Sequence, residues 1–210
     1  MKTNLLPLAK EGLSYFIYSL ASVVLFLFLD FDLLAFFTSL ITLFIAYSFR
    51  NPERELKLFE PTSFLSPVDG IIQSIEELQS DKYAYKIVIQ SSLSDVSVLR
   101  SPANASVSKV LKKNGTRVSV NSKLFRSLNE NTEISFITQE KNIFKLIHRL
   151  GKSFAPLVIE LYEGQKLVQT ARYGLMLNGQ TSIYLPQNFR VNINVGSEVK
   201  ASESLIGYFS

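Results

Sequence analysis

Two uncharged stretches near the N-terminus constrain the fold of this 210-residue chain more than any other feature. Residues 13–29 carry no charge, Asp30 and Asp32 interrupt the run, and residues 33–49 again carry no charge. A transmembrane helix needs about 20 apolar residues, with a lower limit near 17. Each stretch has that minimal length, so the pattern predicts a transmembrane helical hairpin over residues 13–49.

The charges that flank these stretches predict an orientation. Lys2 and Lys10 precede the first stretch, and Arg50, Arg54 and Lys57 follow the second, whereas the turn carries only acids. The positive-inside rule then places both termini in the cytoplasm, in a two-pass protein of the inner (plasma) membrane. A buried hairpin of a soluble core is one alternative. A cleaved signal peptide is another, but it has a shorter apolar segment and a small-residue cleavage site, which is not found here.

The rest of the chain divides by composition. Residues 1–12 form a basic lead-in, and residues 50–63 form a juxtamembrane linker that begins near a helix-ending proline. Residues 64–210 contain short runs that alternate between apolar and polar, bounded by Gly, Pro, Asn and Ser. The pattern predicts a mainly β cytoplasmic domain with minor helix. Its barrel-sandwich-like character follows from residues 195–207, which resemble hybrid domains that carry lipoyl groups.

Local patterns predict individual elements within this domain. Residues 157–162 and 165–170 flank a Glu-Gly pair and predict a β-hairpin. A helical turn is expected at residues 122–128 and a helix at residues 142–153. In the tail, residues 195–207 are expected to contain two short strands that pair with each other.

Composition excludes several kinds of site. The chain has no cysteine and a single histidine, His148, which excludes disulfides, iron–sulfur clusters, thiolate zinc and Cys-His catalysis. No metal site is predicted, and His148 is expected at a semi-exposed structural position. The net charge is +4, and the basic residues are scattered, which argues against a nucleic-acid partner. A mildly basic domain suits a membrane phospholipid partner, because anionic lipid attracts Lys and Arg.

Five motifs, in order along the chain, resemble the phosphatidylserine decarboxylase family and are closest to its short, membrane-anchored branch. They are Phe-Arg-Asn-Pro-Glu-Arg at 49–54, Ser-Pro-Val-Asp-Gly at 66–70, Ser-Asp-Val-Ser-Val-Leu-Arg-Ser-Pro at 94–102, Asn-Glu-Asn at 129–131, and Arg-Tyr-Gly through Ser-Ile-Tyr-Leu-Pro at 172–186. The resemblance covers about residues 8–210.

The resemblance implies a carboxy-lyase of phosphatidylethanolamine synthesis. Enzymes of this family make a pyruvoyl cofactor from one of their own serines by self-cleavage, and its carbonyl forms a Schiff base with the substrate amine. The motifs assign three catalytic positions and three arginines that contact substrate or membrane. These are Asp69, Ser97 (a histidine in the family) and Gly179 (the pyruvoyl serine in the family), with Arg50, Arg54 and Arg100.

The chain departs from the family at two of these positions. Gly179 has no side chain, and shifting the alignment by one places Gln180 there, which has no hydroxyl either. Ser97 replaces the histidine. Asp69 and Gly179 also fit simple backbone roles, because Pro-Val-Asp-Gly is typical of a turn and Asn-Gly of a type I′ hairpin. No cofactor is therefore expected.

Three functions remain open at this point, so whether the chain is an enzyme is undecided. The first is a relative that forms no pyruvoyl group and binds an aminophospholipid or another enzyme of phospholipid synthesis. The second is an active decarboxylase processed at Thr181 or Ser182 instead. The third is a membrane-anchored structural adaptor. Homo-oligomerisation is also left open.

Overall fold

The computed structural model describes residues 7–54, 59–80 and 82–210. Lys2 and Lys57, which contribute to the predicted orientation, lie outside the described residues. The chain forms two compact units, Met1–Glu53 and Arg54–Ser210.

Two helices that pack against each other make up the first unit. They are α1 (Lys10–Phe28) and α2 (Asp32–Ser48), and the connection between them holds Asp30 at a positive φ of 56°. Within the described residues, α1 alone is long and apolar enough to cross a bilayer, and α2 is apolar but shorter. The structure therefore gives a weak indication of one span, and a two-span hairpin stays a prediction.

The open end of this helix pair is closed by backbone hydrogen bonds. Ala9 N–H donates to the Phe49 carbonyl at 2.8 Å, and Asn51 N–H donates to the Pro7 carbonyl at 2.7 Å. Gly12 faces the Phe49 ring so closely that an added Cβ would overlap it. The two ends of the unit are thus held side by side.

The described part of the second unit consists of strands with one short helix, α3 (Phe125–Leu128). Its described strands are β1 (Ser63–Leu65), β2 (Gly70–Glu77), β3 (Tyr85–Ser91), β4 (Val98–Arg100), β5 (Ala105–Lys113), β6 (Asn131–Thr138), β7 (Ile143–Leu150), β8 (Val158–Ile159), β9 (Lys166–Leu167), β10 (Arg172–Leu175), β11 (Gly179–Leu185), β12 (Phe189–Val191), β13 (Glu198–Val199) and β14 (Leu205–Phe209). The mainly β prediction is confirmed, and the helical turn expected at residues 122–128 is α3.

Three antiparallel sheets share one core. The largest has the order β13-β2-β3-β11-β7-β6-β5-β9, and the smaller ones are β1-β14-β12 and β4-β10-β8. Phe64 of β1 lies edge-on to Phe144 of β7 and to Phe189 of β12, with ring centroids 5.1 and 5.6 Å apart. The Phe64–Phe144 contact connects the first small sheet to the large one.

One end of the large sheet carries the positions that the sequence singled out. There β2 begins at Gly70, β3 ends at Ser91, β7 ends at Leu150 and β11 begins at Gly179. Gly179 lies opposite Ser91 on one side and Leu150 on the other. We call this the site end of the sheet.

The helix expected at residues 142–153 is wrong, because Ile143–Leu150 is strand β7. Its burial alternates along the strand, with Phe144, Leu146, His148 and Leu150 all inside the core. A period of two is the signature of a strand, and here it outweighs the helix-forming Lys, Leu and Arg residues.

Two predicted strand pairings are also wrong. β8 pairs with β10 and β9 pairs with β5, so residues 157–170 do not form a hairpin. In the tail, β13 pairs with β2, whereas β14 pairs with β1 and β12. β9, β13 and β14 each pair with a strand that is distant in sequence, so adjacency along the chain does not predict these partners.

Candidate functional site

The three positions assigned to catalysis meet at the site end of the sheet. Ser91 Oγ–H donates to the Asp69 carbonyl at 2.5 Å, and Ser91 lies opposite Gly179. The Ser97 carbonyl accepts a hydrogen bond from Met176 N–H at 2.8 Å, and Met176 Sδ lies 3.0 Å from where a Cβ on Gly179 would be. Asp69 and Ser97 are therefore each linked to Gly179 through one intervening residue, Ser91 or Met176, although the three positions are far apart in sequence.

Gly179 is enclosed so tightly that no side chain fits. A Cβ built on it would overlap the carbonyl oxygen of Arg149 on the adjacent strand β7. Gly179 is buried and starts a strand that is paired on both sides. Glycine is required here because another backbone passes too close for a side chain.

The turn predicted at Asn178-Gly179 is not a type I′ hairpin. Such a turn needs positive φ at both central residues, and neither Asn178 nor Gly179 has one. Instead, Asn178 is bound to the segment after β7. Gly151 N–H donates to the Asn178 carbonyl at 2.8 Å, and Asn178 Nδ2–H donates to the Lys152 carbonyl at 2.9 Å.

The residues at this point do not fit a pyruvoyl group. The family makes that group from a serine side chain, and position 179 has neither a hydroxyl nor space for a Cβ. Gln180 supplies an amide, which cannot serve as the hydroxyl nucleophile. At the family's histidine position, Ser97 is 2% exposed and provides no imidazole.

Asp69 is bound on both carboxylate oxygens. Its Oδ2 accepts a hydrogen bond from Arg54 Nη2 at 2.6 Å, and its Oδ1 accepts one from Ala201 N–H at 2.8 Å. Arg54 also reaches Glu203 at 3.3 Å. Burial raises the pKa of Asp69, while the Ala201 N–H and the Arg54 charge act to lower it, and burial prevails.

The three arginines expected to contact lipid differ in their placement. The Arg54 side chain is 8% exposed and engaged by Asp69, so it does not present its charge to a surface. Arg50, in the first unit, lies over the Tyr47 ring at 4.1 Å. Arg100 is 5% exposed in β4, and its N–H donates to the Pro67 carbonyl at 3.0 Å. A contact of Arg50 or Arg100 with lipid stays a prediction.

A buried polar chain lies beside this site and is not anticipated by the sequence analysis. His148 Nδ1 is 2.9 Å from Thr181 Oγ1, and His148 Nε2 is 2.7 Å from the Tyr173 hydroxyl. All three side chains are buried, so the expectation of a semi-exposed His148 is wrong. The alternation of apolar residues around His148 is the signal that indicates an inward position on a strand.

Burial keeps His148 neutral. It lowers the pKa of His148 to about 3 and raises that of Tyr173. A neutral imidazole donates from one ring nitrogen and accepts at the other, so Tyr173 and Thr181 take complementary roles. The hydrogen bonds among His148, Thr181 and Tyr173 thus satisfy polar groups that would otherwise be unpaired in the core.

A pH-dependent loss of stability is expected from His148. In the unfolded chain the pKa of His148 is near 6.5. Below that pH the imidazole is protonated in the unfolded state but stays neutral in the folded state. The free energy of unfolding should fall by up to about 1.4 kcal/mol per pH unit as the pH drops from about 6.5 towards about 3. Urea unfolding of the wild type and of His148→Gln, which cannot titrate, measures this. Equal pH slopes for the two proteins would contradict the assignment.

Comparison with known proteins identifies a family for this chain. A family profile described as phosphatidylserine decarboxylase matches residues 41–207. Three similar proteins are each named phosphatidylserine decarboxylase proenzyme. That of Desulfotalea psychrophila is 28% identical over 206 residues, covering 96% of both chains. Those of Geobacter metallireducens and Geotalea uraniireducens are 29% and 26% identical, each covering 99% of both chains.

The family match spans far more than half of the chain, and the relatives align over nearly its whole length. It includes the site end of the sheet, where Asp69, Ser97 and Gly179 meet. The chain therefore belongs to the phosphatidylserine decarboxylase family, a family of phospholipid metabolism.

Proposed function

We propose that this protein is a membrane-anchored member of the family that forms no pyruvoyl group. In this proposal it acts in phospholipid metabolism by binding an aminophospholipid or another enzyme of phospholipid synthesis. The observation that carries the proposal is the enclosure of Gly179 by the Arg149 carbonyl, which leaves no place for a serine side chain.

A second defect supports the same conclusion. Self-cleavage needs a hydroxyl next to the scissile carbonyl and a group that accepts its proton. Ser97 provides no imidazole, and Asp69 is occupied by Arg54 and Ala201. The nucleophile and the expected base are thus both missing.

Borohydride treatment tests this proposal. Borohydride reduces a pyruvoyl carbonyl and adds hydrogen to the chain that carries it, whereas a chain without that carbonyl is unchanged. We expect no mass change in the purified protein. A mass increase on a short C-terminal chain would overturn the proposal.

One contact favours a displaced processing site as a second candidate. Thr181 Oγ1 is 2.9 Å from a neutral histidine nitrogen, and that nitrogen accepts the threonine proton in one of the two tautomers. Against it, Thr181 is fully buried in the middle of β11 and paired with both β3 and β7. Ser182 alternates to the other face of the strand. Processing there requires β11 to leave the sheet.

The membrane part of the proposal rests on the first unit. Five hydroxyl side chains donate back to carbonyls of their own helix, as is needed where no water is present: Ser19, Ser22, Thr38, Ser39 and Thr42. Large apolar side chains point outward, with Phe28 84% and Leu33 70% exposed. The hydrogen-bonded ends at Ala9 and Phe49 favour two spans with both termini on one side.

Cysteine labelling tests this topology, since the chain has no native cysteine. A cysteine at Phe31 is expected to react with a membrane-impermeant maleimide from outside the cell. A cysteine at Glu140, in the β unit, should react only after the cells are opened. Labelling of position 31 from the cytoplasmic side alone would contradict a two-pass arrangement with cytoplasmic ends.

A further inference from the structure

A basic and apolar surface lies at the site end of the sheet, on the segment between β5 and β6 and on the segment after β7. No Asp or Glu occurs between Val96 and Asn129. We call this surface the loop face. It is formed by the exposed residues Lys113, Lys123, Leu124, Arg126, Leu128 and Phe154.

Apolar side chains on the loop face are strongly exposed. Leu124 is 54%, Leu128 44% and Phe154 42% accessible. Phe125, between the two leucines, is instead buried under the Arg149 guanidinium at 5.8 Å. The short helix α3 is therefore anchored from below by Phe125 and presents its leucines outward.

The two segments of the loop face are tied together and held in place. Arg117 Nη1–H donates to the Ser153 carbonyl at 3.5 Å. Asn129 Nδ2–H donates to the Val118 carbonyl at 2.8 Å and to the Leu150 carbonyl at 2.6 Å. The exposed leucines thus belong to a fixed surface.

Positive charge predominates on this surface. The acid that follows the stretch from Val96 to Asn129, Glu130, is paired with Arg117 at 3.6 Å. Exposed Leu and Phe among Lys and Arg is the composition of surfaces that lie on anionic bilayers. Lysine and arginine attract the headgroups, and the apolar side chains enter the interface.

The loop face is also continuous with the candidate site. Asn178, the residue before Gly179, is hydrogen-bonded to Gly151 and Lys152, two residues before Phe154. Arg54, where the β unit begins, is bound to Asp69 at the same end of the sheet. The first residue of the β unit is therefore held at the end of the sheet that carries the candidate site.

We infer that the loop face docks on an anionic phospholipid bilayer and turns the site end of the sheet towards the lipid headgroups. The inference rests on the proposed membrane anchoring, which supplies the bilayer. Beyond the proposed function, the inference names the surface of the β domain that contacts lipid. It also explains how an aminophospholipid reaches the site with Asp69, Ser97 and Gly179.

Fluorescence quenching in the full-length protein tests the inference. A polarity-sensitive fluorophore is attached at Leu124→Cys, and separately at Glu140→Cys in the β6–β7 turn at the other end of the sheet. Each protein is reconstituted in phosphatidylcholine vesicles, with or without phosphatidylglycerol, that contain a nitroxide-headgroup lipid. We expect quenching at position 124 in the anionic vesicles and none at position 140.

Charge reversal is the matched perturbation. Lys123→Glu with Arg126→Glu changes two exposed residues, so the thermal midpoint should not move. Each Lys or Arg near an anionic surface contributes about fivefold to binding. Loss of the two positive charges alone should lower the ratio of docked to undocked domain about 25-fold, and the two added negative charges should lower it further. Quenching should also weaken at 1 M salt, where the screening length is only about 3 Å.

The remaining outcomes separate this inference from the proposed function. Flotation with vesicles measures whether the protein is anchored in the membrane, and borohydride reduction measures whether a pyruvoyl group is present. Both measurements are independent of quenching. An anchored protein with no quenching at position 124, or with equal quenching at 124 and 140, would overturn the docking surface alone. Energy transfer between labelled copies without lipid quenching would assign the loop face to self-association and would also overturn it.

Discussion

Replacing Gly179 with serine is expected to destabilise the β domain by about 1–3 kcal/mol or more, without producing cleavage. The added Cβ would overlap the Arg149 carbonyl oxygen, which is backbone in a central strand and cannot rotate away. Strand β7 or β11 must shift, and both are paired on either side within the large sheet. A hydroxyl in this place also lacks an imidazole, since position 97 is serine.

Chemical denaturation with mass spectrometry separates these effects. Gly179→Ala carries the Cβ without the hydroxyl and should lose about the same stability as Gly179→Ser. Gln180→Ser places a hydroxyl at the alternative aligned position, which is half-buried and already carries a Cβ, so it tests the hydroxyl without the backbone overlap. If Gly179→Ser is cleaved and the other two variants are not, the site keeps the geometry that the reaction needs. If Gly179→Ala is as stable as the wild type, the close packing at Gly179 is contradicted.

Removing the Asp69 carboxylate is expected to cost about 3–5 kcal/mol, because it leaves the Arg54 charge buried without its main partner. Arg54 and Asp69 are 2.6 Å apart with side chains only 8% and 10% exposed. Asp69 also holds Ala201 N–H next to Ser202, which has a strained φ of 66°. The carboxylate thus stabilises the structure of the domain.

A double-mutant cycle measures the coupling. Asp69→Ala and Arg54→Met should each destabilise strongly, whereas the double variant should lose less than the sum, because no lone charge is then buried. Lys86→Met, which breaks the half-exposed pair with Glu76, is the matched control and should cost at most about 1 kcal/mol. Additive losses for Arg54 and Asp69 would contradict a direct ion pair.

Some of this structure is encoded locally and some is not. The helices α1 and α2 follow from uninterrupted hydropathy, and the strand-rich domain follows from alternation. The convergence of Asp69, Ser97 and Gly179 follows from the family motifs. The partner of β9 could not be predicted, because it is strand β5, which is distant in sequence.

In the candidate site, too, contacts between residues of different strands could not be predicted from the sequence. The absence of a hydroxyl at Gly179 is visible in the sequence, but the Arg149 carbonyl that fills the space belongs to a neighbouring strand. The sequence predicts a helix around His148, whereas alternate residues of this segment are buried because it is strand β7. The partners of this histidine, Tyr173 and Thr181, come from two other strands, so the buried polar chain appears only once the sheets are assembled.

The intact mass of the purified full-length protein tests the central claim most directly. A chain that forms no pyruvoyl group should give a single species near 23.7 kDa, with no smaller chain under denaturing conditions. Processing at Thr181 would instead give two chains, the smaller of 30 residues from position 181 to 210 with a blocked N-terminus. One uncleaved mass is the predicted result, and a pair of masses that sum to the full chain would contradict the account.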